Sequence, residues 1–293
     1  MTYSIVARDP ATGEMGVAVQ SHWFSVGSVV TFARAGVGAV ATQSIAEKAY
    51  GPRMLERMEA GEDPEQALGA LLAEDPAARV RQVAAVDSKA RVAAHTGEGC
   101  IPDAGDAQGE GFSVQANIMA SPQVWPAMAE AFTEADGALA QRMLAALDAA
   151  QAEGGDLRGK QSAALIVVPA EGQPWQSVVD VRVEDSPDPL GELRRLVRLA
   201  AAYALASEGD DLLGRGKPDE AGARYRAANE LAPENIELAF WSGVALLRGG
   251  DVEAGLGRIR EVIEAEPGWA GLIKRVPAEL EPDIERLREA LGL

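Results

Sequence analysis

The sequence predicts an α+β fold: a four-layer αββα sandwich, with two antiparallel sheets packed face to face between helices, followed by an all-helical region. Three observations predict it. Strand-like and helix-like segments come in blocks (strands, helices, strands, helices, strands) rather than in the strict alternation of a doubly wound sheet. Pro187-Asp188-Pro189 then reads as a linker, and everything after it carries helical patterning. Within that region, Pro233 and Pro267 close matching segments 34 residues apart. The predicted domains are residues 1–186 and 187–293.

Each element has its own reason. Thr2 to Arg8 is rich in β-branched and aromatic residues, Asp9-Pro10-Ala11-Thr12-Gly13 is turn chemistry, and Met15 to Ser21 reads as the returning strand. Val29 to Ala35 and Gly38 to Thr42 are two further strands. Ser44 to Gly61 switches to helical spacing, and Asp63 can cap a second helix with Pro64 in its first turn. Val80 to Val86 and Arg91 to Ala94 form a second hairpin around Asp87-Ser88-Lys89. The glycine-rich stretch from Thr96 to Gly111 reads as irregular, and Phe112 to Ile118 as a strand. Helices over Pro122–Thr133 and Gly137–Ala152 and strands over Ser162–Val168 and Ser177–Val183 complete the domain. Beyond the linker, Gly209, Leu212, Ala221, Tyr225 and Ala228 fall on Gly243, Leu246, Gly255, Ile259 and Val262 when shifted by 34. That is the tetratricopeptide period, with small residues where paired helices approach closely. Ala278 to Leu291 reads as a capping helix.

Composition narrows the function classes. The 293 residues carry a net charge of −18, about −13 up to Leu190 and −5 after it, so neither part reads as a nucleic-acid module or a binder of anionic lipid. Cys100 is alone, which excludes an intrachain disulfide, and with two histidines no metal site and no cofactor are expected. The N-terminus lacks a signal-peptide pattern and no run of about eighteen apolar residues occurs, so the expectation is a soluble cytoplasmic protein with no membrane contact.

The residue with the strongest chemical potential is Thr2. Initiator methionine is commonly removed before a small residue, and removal gives Thr2 an α-amine beside its own hydroxyl. An α-amine has an ordinary pKa of about 7.7–8.0, so near neutral pH it can take the hydroxyl proton without a histidine.

Thr2-Tyr3-Ser4-Ile5-Val6-Ala7-Arg8-Asp9, Ser21-His22-Trp23-Phe24, the run from Ala35 to Gln43 and Gly159-Lys160-Gln161-Ser162-Ala163-Ala164 resemble an uncharacterised bacterial and archaeal family grouped with the N-terminal-nucleophile (Ntn) hydrolases. The likeness covers roughly residues 2–184. It implies the αββα sandwich and amide hydrolysis with Thr2 as nucleophile. Members often carry a C-terminal segment described as peptidoglycan-binding, which residues from about 187 onward resemble.

Around Thr2, Asn117 and Gln43 are side-chain candidates for stabilising an oxyanion, with backbone N–H groups as the alternative. His22 is a candidate for the pocket mouth. Proteasome-type relatives place a lysine near the nucleophile; this sequence has Arg34 there and no lysine before Lys48. Arginine stays charged and cannot shuttle a proton, but it can depress an amine pKa or hold a substrate carboxylate. Asp156 and Arg158 read as an ion pair or a substrate clamp. The expected partner is a small-molecule or peptide amide, with a muropeptide or protein at the C-terminal repeats and self-association as further candidates. Two other functions stand beside the amidohydrolase: a catalytically silent binding protein and a cytoplasmic muropeptide amidase.

Overall fold

The computed structural model describes residues 2–279 and 283–293, and the chain divides into two compact units, one ending at Val197 and the next beginning at Arg198. In chain order, the first unit contains β1 (Thr2–Arg8), β2 (Met15–Ser21), α1 (Gly27–Val30), β3 (Thr31–Arg34), β4 (Gly38–Ser44), α2 (Tyr50–Glu59), α3 (Pro64–Glu74), β5 (Arg81–Asp87), β6 (Val92–Thr96), β7 (Gly105–Gly109), β8 (Phe112–Asn117), α4 (Val124–Glu134), α5 (Leu139–Ala152), β9 (Ser162–Val168) and β10 (Val179–Val183). These strands form two antiparallel sheets, one ordered β10-β9-β2-β1-β8-β7 and the other β3-β4-β5-β6.

The sheets pack face to face, and strand alternation divides their side chains. Val6, Met15, Val17, Val19, Ala39, Ala41, Ala84, Val86 and Ala164 point between the sheets and form one buried apolar cluster. Val40, Val83 and Ala85 point the other way and pack under Tyr50, Met54, Leu55, Leu68 and Leu71 of α2 and α3. The outer face of the six-stranded sheet is covered by α4 and α5. There the Phe112 and Phe132 rings lie 4.7 Å apart. The first unit is therefore layered as helices, sheet, sheet, helices.

The inter-sheet layer is not uniform. Along β1 the inward positions run Thr2, Ser4, Val6, and the residues paired with them on β8 are Asn117, Gln115 and Ser113. Gln43, at the Ser44 end of β4, stands opposite Gln82 on β5, and Gln82 stands opposite Thr96 on β6. One end of the layer is hydrocarbon and the other is amide and hydroxyl. Buried polar groups are as a rule hydrogen-bonded, and most of these are, Asn117 Oδ1 being an exception: Ser4 Oγ donates to Gln43 Oε1 at 2.7 Å and accepts from Gln115 Nε2 at 2.6 Å.

Local differences from the sequence expectations have physical causes. The strand expected from Val29 is helix to Val30, where the Thr31 hydroxyl bonds back to the Gly27 carbonyl at 2.8 Å. The helix expected from Ser44 begins at Tyr50, because β4 continues to Ser44 and side chains hold the next residues out of helix. Arg81 Nη1 donates to the Ile45 carbonyl at 2.6 Å and the Thr42 hydroxyl to the Glu47 carbonyl at 3.1 Å. The stretch read as irregular contains β7, which pairs with β8 at the edge of the sheet. The cap of α3 forms as read: Asp63 accepts from Gln66 N at 2.8 Å, and Gln66 Oε1 accepts from Asp63 N at 3.2 Å.

Helices follow: α6 (Pro189–Gly214), α7 (Pro218–Leu231), α8 (Ile236–Arg248), α9 (Val252–Ala265), α10 (Gly268–Ile273) and α11 (Ile284–Leu291). In the second unit the contacts repeat with the 34-residue shift. A Cβ on Gly209 would stand 2.9 Å from the Tyr225 ring, and one on Gly243 would stand 2.8 Å from Ile259. The α8 and α9 backbones also meet at Gly243 and Gly255, where a Cβ on Gly255 would come within 2.6 Å of the Gly243 carbonyl. Of the expected capping helix, Ile284–Leu291 is helical, while residues 280–282 lie outside the described residues. No helix among the described residues is long and apolar enough to cross a membrane.

Candidate active site

Thr2 opens β1, an interior strand of the six-stranded sheet, and is 6% exposed. Its hydroxyl is hydrogen-bonded to the Ser21 hydroxyl at 3.1 Å, either oxygen able to donate. The β1–β2 register makes this meeting inevitable: Tyr3 pairs with Gln20, so the next pair outward is Thr2 with Ser21. From the other side, Gln43 Nε2 and Asn117 Nδ2 both donate to the Thr2 carbonyl oxygen at 3.4 Å. Both amides also donate to one acceptor, Gln82 Oε1, at 2.7 and 2.9 Å. Gln82 in turn donates through Nε2 to the Ala116 carbonyl at 2.9 Å and the Thr96 hydroxyl at 3.0 Å. Thr2 therefore rests on a buried amide network that spans both sheets.

Thr2, Ser21 and Gln43 form part of the wall of a cavity of about 530 Å³, within the usual range for small-molecule sites. One further wall is the segment after β2, with Trp23, Val26, Val29 and Val30; the other is the segment after β4, from Ser44 to Ala46 with Lys48. Both walls are pinned. Ser162 Oγ accepts from Val26 N at 3.0 Å and donates to the Trp23 carbonyl. On the other side, Arg81 holds the Ile45 carbonyl while Asp75 holds Arg81, at 2.7 Å from Oδ2 to Nε and 3.4 Å from Oδ1 to Nη2. The Arg81 hydrogen bond, with help from Ala77 N and Tyr50, lowers the Asp75 pKa to about 2 against the cost of burial.

Behind Thr2, on the helix-covered face, the Tyr3 hydroxyl donates to Gln151 Oε1 at 3.1 Å. Burial raises its pKa far above the ordinary phenol value, with the Asp156 and Asp148 charges adding to the effect. Tyr3 is a neutral donor in any physiological range.

The sequence candidates fall into two sets. Thr2, Gln43 and Asn117 come together, but the two amides are turned onto the Thr2 carbonyl and onto Gln82, so they position the residue instead of presenting donors to the cavity. Asp156 and Arg158 pair with each other at 3.2 Å. The Asp156 side chain is fully buried and accepts from His22 N at 2.8 Å; it anchors the chain just past Ser21 and is closed to a ligand. His22 does not line the cavity. Arg34 is not brought to Thr2 at all. It pairs with Gly38 at the far end of β4 from Gln43, and its guanidinium is engaged by Glu59 of α2. The residues missed by sequence reasoning are Ser21 and Lys48. Counting the hairpin register back from its turn finds Ser21; nothing local marks Lys48, whose position depends on the five-residue excursion between β4 and α2. Among the described residues, no group of three or more His, Cys, Asp and Glu side chains is arranged to hold a metal.

A family of unknown function, DUF1028, matches residues 2–193, which span both sheets, the helices covering them and every residue of the Thr2 site. The chain belongs to the DUF1028 family. The crystal structure of a Silicibacter pomeroyi protein of the DUF1028 family is similar over 68% of this chain and 89% of that one, at 31% identity and a TM-score of 0.62. No curated protein matches. As a DUF1028 protein, the chain holds the Thr2 cavity wholly inside the matched segment, and the helices from Arg198 onward lie beyond it.

Proposed function

We propose that this DUF1028 protein is an amidohydrolase of the N-terminal-nucleophile type, its first unit an αββα sandwich of that class, with Thr2 as nucleophile once Met1 has been removed. The observation that carries the reading is the position of Thr2: the residue forms part of the wall of a cavity of about 530 Å³ while its carbonyl is fixed by Gln43 and Asn117. A nucleophile needs this combination of access and restraint, because rate depends on holding the attacking atom in a reactive geometry.

The freed α-amine takes the proton from Oγ1, and Oγ1 attacks the amide carbonyl carbon. The proton passes to the leaving nitrogen, the C–N bond breaks, and an ester on Thr2 remains. Water, activated by the same amine, hydrolyses the ester and restores Thr2. Ser21 Oγ, 3.1 Å from Thr2 Oγ1, keeps the hydroxyl oriented before attack. Since Gln43 and Asn117 are committed to Thr2 and Gln82, the oxyanion falls to backbone N–H groups of the cavity wall.

For the second unit, the 34-residue recurrence of the Gly209–Tyr225 and Gly243–Ile259 contacts supports a tetratricopeptide-like array, a scaffold suited to a peptide or a wall-derived muropeptide.

The test joins mass and activity. Intact-mass measurement of the native protein is expected to find Met1 absent, and an acyl-reactive probe is expected to label Thr2. Thr2→Ala is expected to lower amide hydrolysis at least about a thousandfold while leaving the fold intact by circular dichroism. Hydrolysis by a protein that retains Met1, or undiminished turnover by Thr2→Ala, would overturn the reading.

A further inference from the structure

The cavity beside Thr2 has two chemically different sides. Trp23, Val26, Val29 and Val30 give one side an apolar surface, and Trp23 is 59% exposed although it is an aromatic ring that gains by burial. The segment after β4 contributes Lys48, the only charged residue among the described residues on the cavity wall. Lys48 has no ion-pair partner among the described residues, whereas most of the arginines are paired. In a chain with 45 acidic and 27 basic residues, a cavity wall that among the described residues has no carboxylate and one unpaired ammonium is a specific local inversion of charge.

Such a wall selects a ligand with an apolar body and an anionic end. An apolar group gains by covering Trp23 and the three valines, and a carboxylate gains from Lys48 without meeting a like charge on the wall. Thr2 lies on the wall between these two segments, where the bond to be broken belongs. We propose that the cavity accepts N-acyl amino acids and similar amides, with an apolar acyl group along Trp23–Val30 and a free carboxylate at Lys48. This assignment rests on the amidohydrolase reading for the bond that breaks. Water adds across the amide, giving the apolar carboxylic acid and the free amino acid.

The probes are N-phenylacetylglycine and its neutral counterpart, N-phenylacetylglycinamide. The acid is expected to show a kcat/KM about two- to fivefold above the amide, the worth of one exposed charge pair. Lys48→Met is expected to bring that ratio to about one, and Lys48→Glu to invert it, with melting curves checking that each variant folds. Thr2-dependent turnover with equal kcat/KM for both probes would overturn the substrate class and leave the amidohydrolase standing. Where neither probe is hydrolysed, calorimetric binding decides. Tighter binding of the acid that disappears in Lys48→Met upholds the ligand class while the hydrolase reading fails; equal or absent binding overturns the ligand class as well.

Discussion

Asp75 is two hydrogen bonds removed from the cavity, yet it governs one wall, because the Arg81 guanidinium it holds also grips the Ile45 carbonyl. Its folded pKa of about 2 lies below the ordinary 3.8. A carboxyl with a depressed folded pKa contributes stability that is fully present above the unfolded pKa and disappears as pH falls through the folded one. Asp75→Asn should therefore cost about 1 kcal/mol at pH 6, a figure reduced for solvent screening of a pair near the surface. The gap between variant and wild type should narrow as pH drops from about 4 to 2, measured by urea midpoints across that range. A constant gap would mean that Asp75 acts by shape alone. At this scale the sequence was partly legible. Thr2 stands out in the sequence because the proposed chemistry needs only one residue, whereas for Gln43 and Asn117 the sequence suggests an oxyanion role and gives no sign of their shared acceptor, Gln82.

Among the elements, the four-residue helix α1 carries one cavity wall and depends on a close approach. A Cβ at Gly27 would collide with the Ala164 Cβ of β9 and crowd Arg182. Overpacking of this kind usually costs about 1–3 kcal/mol, so Gly27→Ala should lower the urea midpoint correspondingly. It should also weaken binding of N-phenylacetylglycine, since Val26, Val29 and Val30 move with the helix; unchanged binding would separate the wall from α1. Elements with their own periodicity could be read from sequence: β1 and β2 alternate cleanly around turn chemistry, and α3 has Asp63, Pro64 and Gln66 where a helix begins. β7 could not, because Gly105, Asp106 and Gly109 have no strand propensity and are kept extended by pairing with β8 and by bonds from Gln82 and Thr96, all distant in sequence or invisible in local pattern. The late start of α2 was hidden for a related reason. Ser44 to Ala49 would suit a helix, but bonds from Arg81 and Thr42, one of them 36 residues distant, hold part of this segment as cavity wall.

Over the whole molecule, a net charge of −18 works against compactness through self-repulsion, while many surface ion pairs work for it. Salt weakens both. Exposed pairs are worth about 0–1 kcal/mol each and often nothing, so relief of the uniform repulsion should prevail. Raising NaCl from 20 to 200 mM is expected to increase Tm by a few degrees, read by differential scanning calorimetry; a fall would assign the larger role to the ion pairs. The block order of strands and helices was sufficient to anticipate layered antiparallel sheets, since few arrangements bury such a sequence of elements. The division between a hydrocarbon end and an amide end was not, because it arises only when two neighbouring strands of one sheet, β1 and β8, face two of the other, β4 and β5.

That division constrains how the fold can change over generations. Gln43, Gln82 and Asn117 share donors and acceptors so closely that exchanging one leaves the others short of partners in a buried layer. Divergence at this end must proceed by concerted replacement of the trio, whereas the valines and alanines of the opposite end are free to drift one methyl at a time.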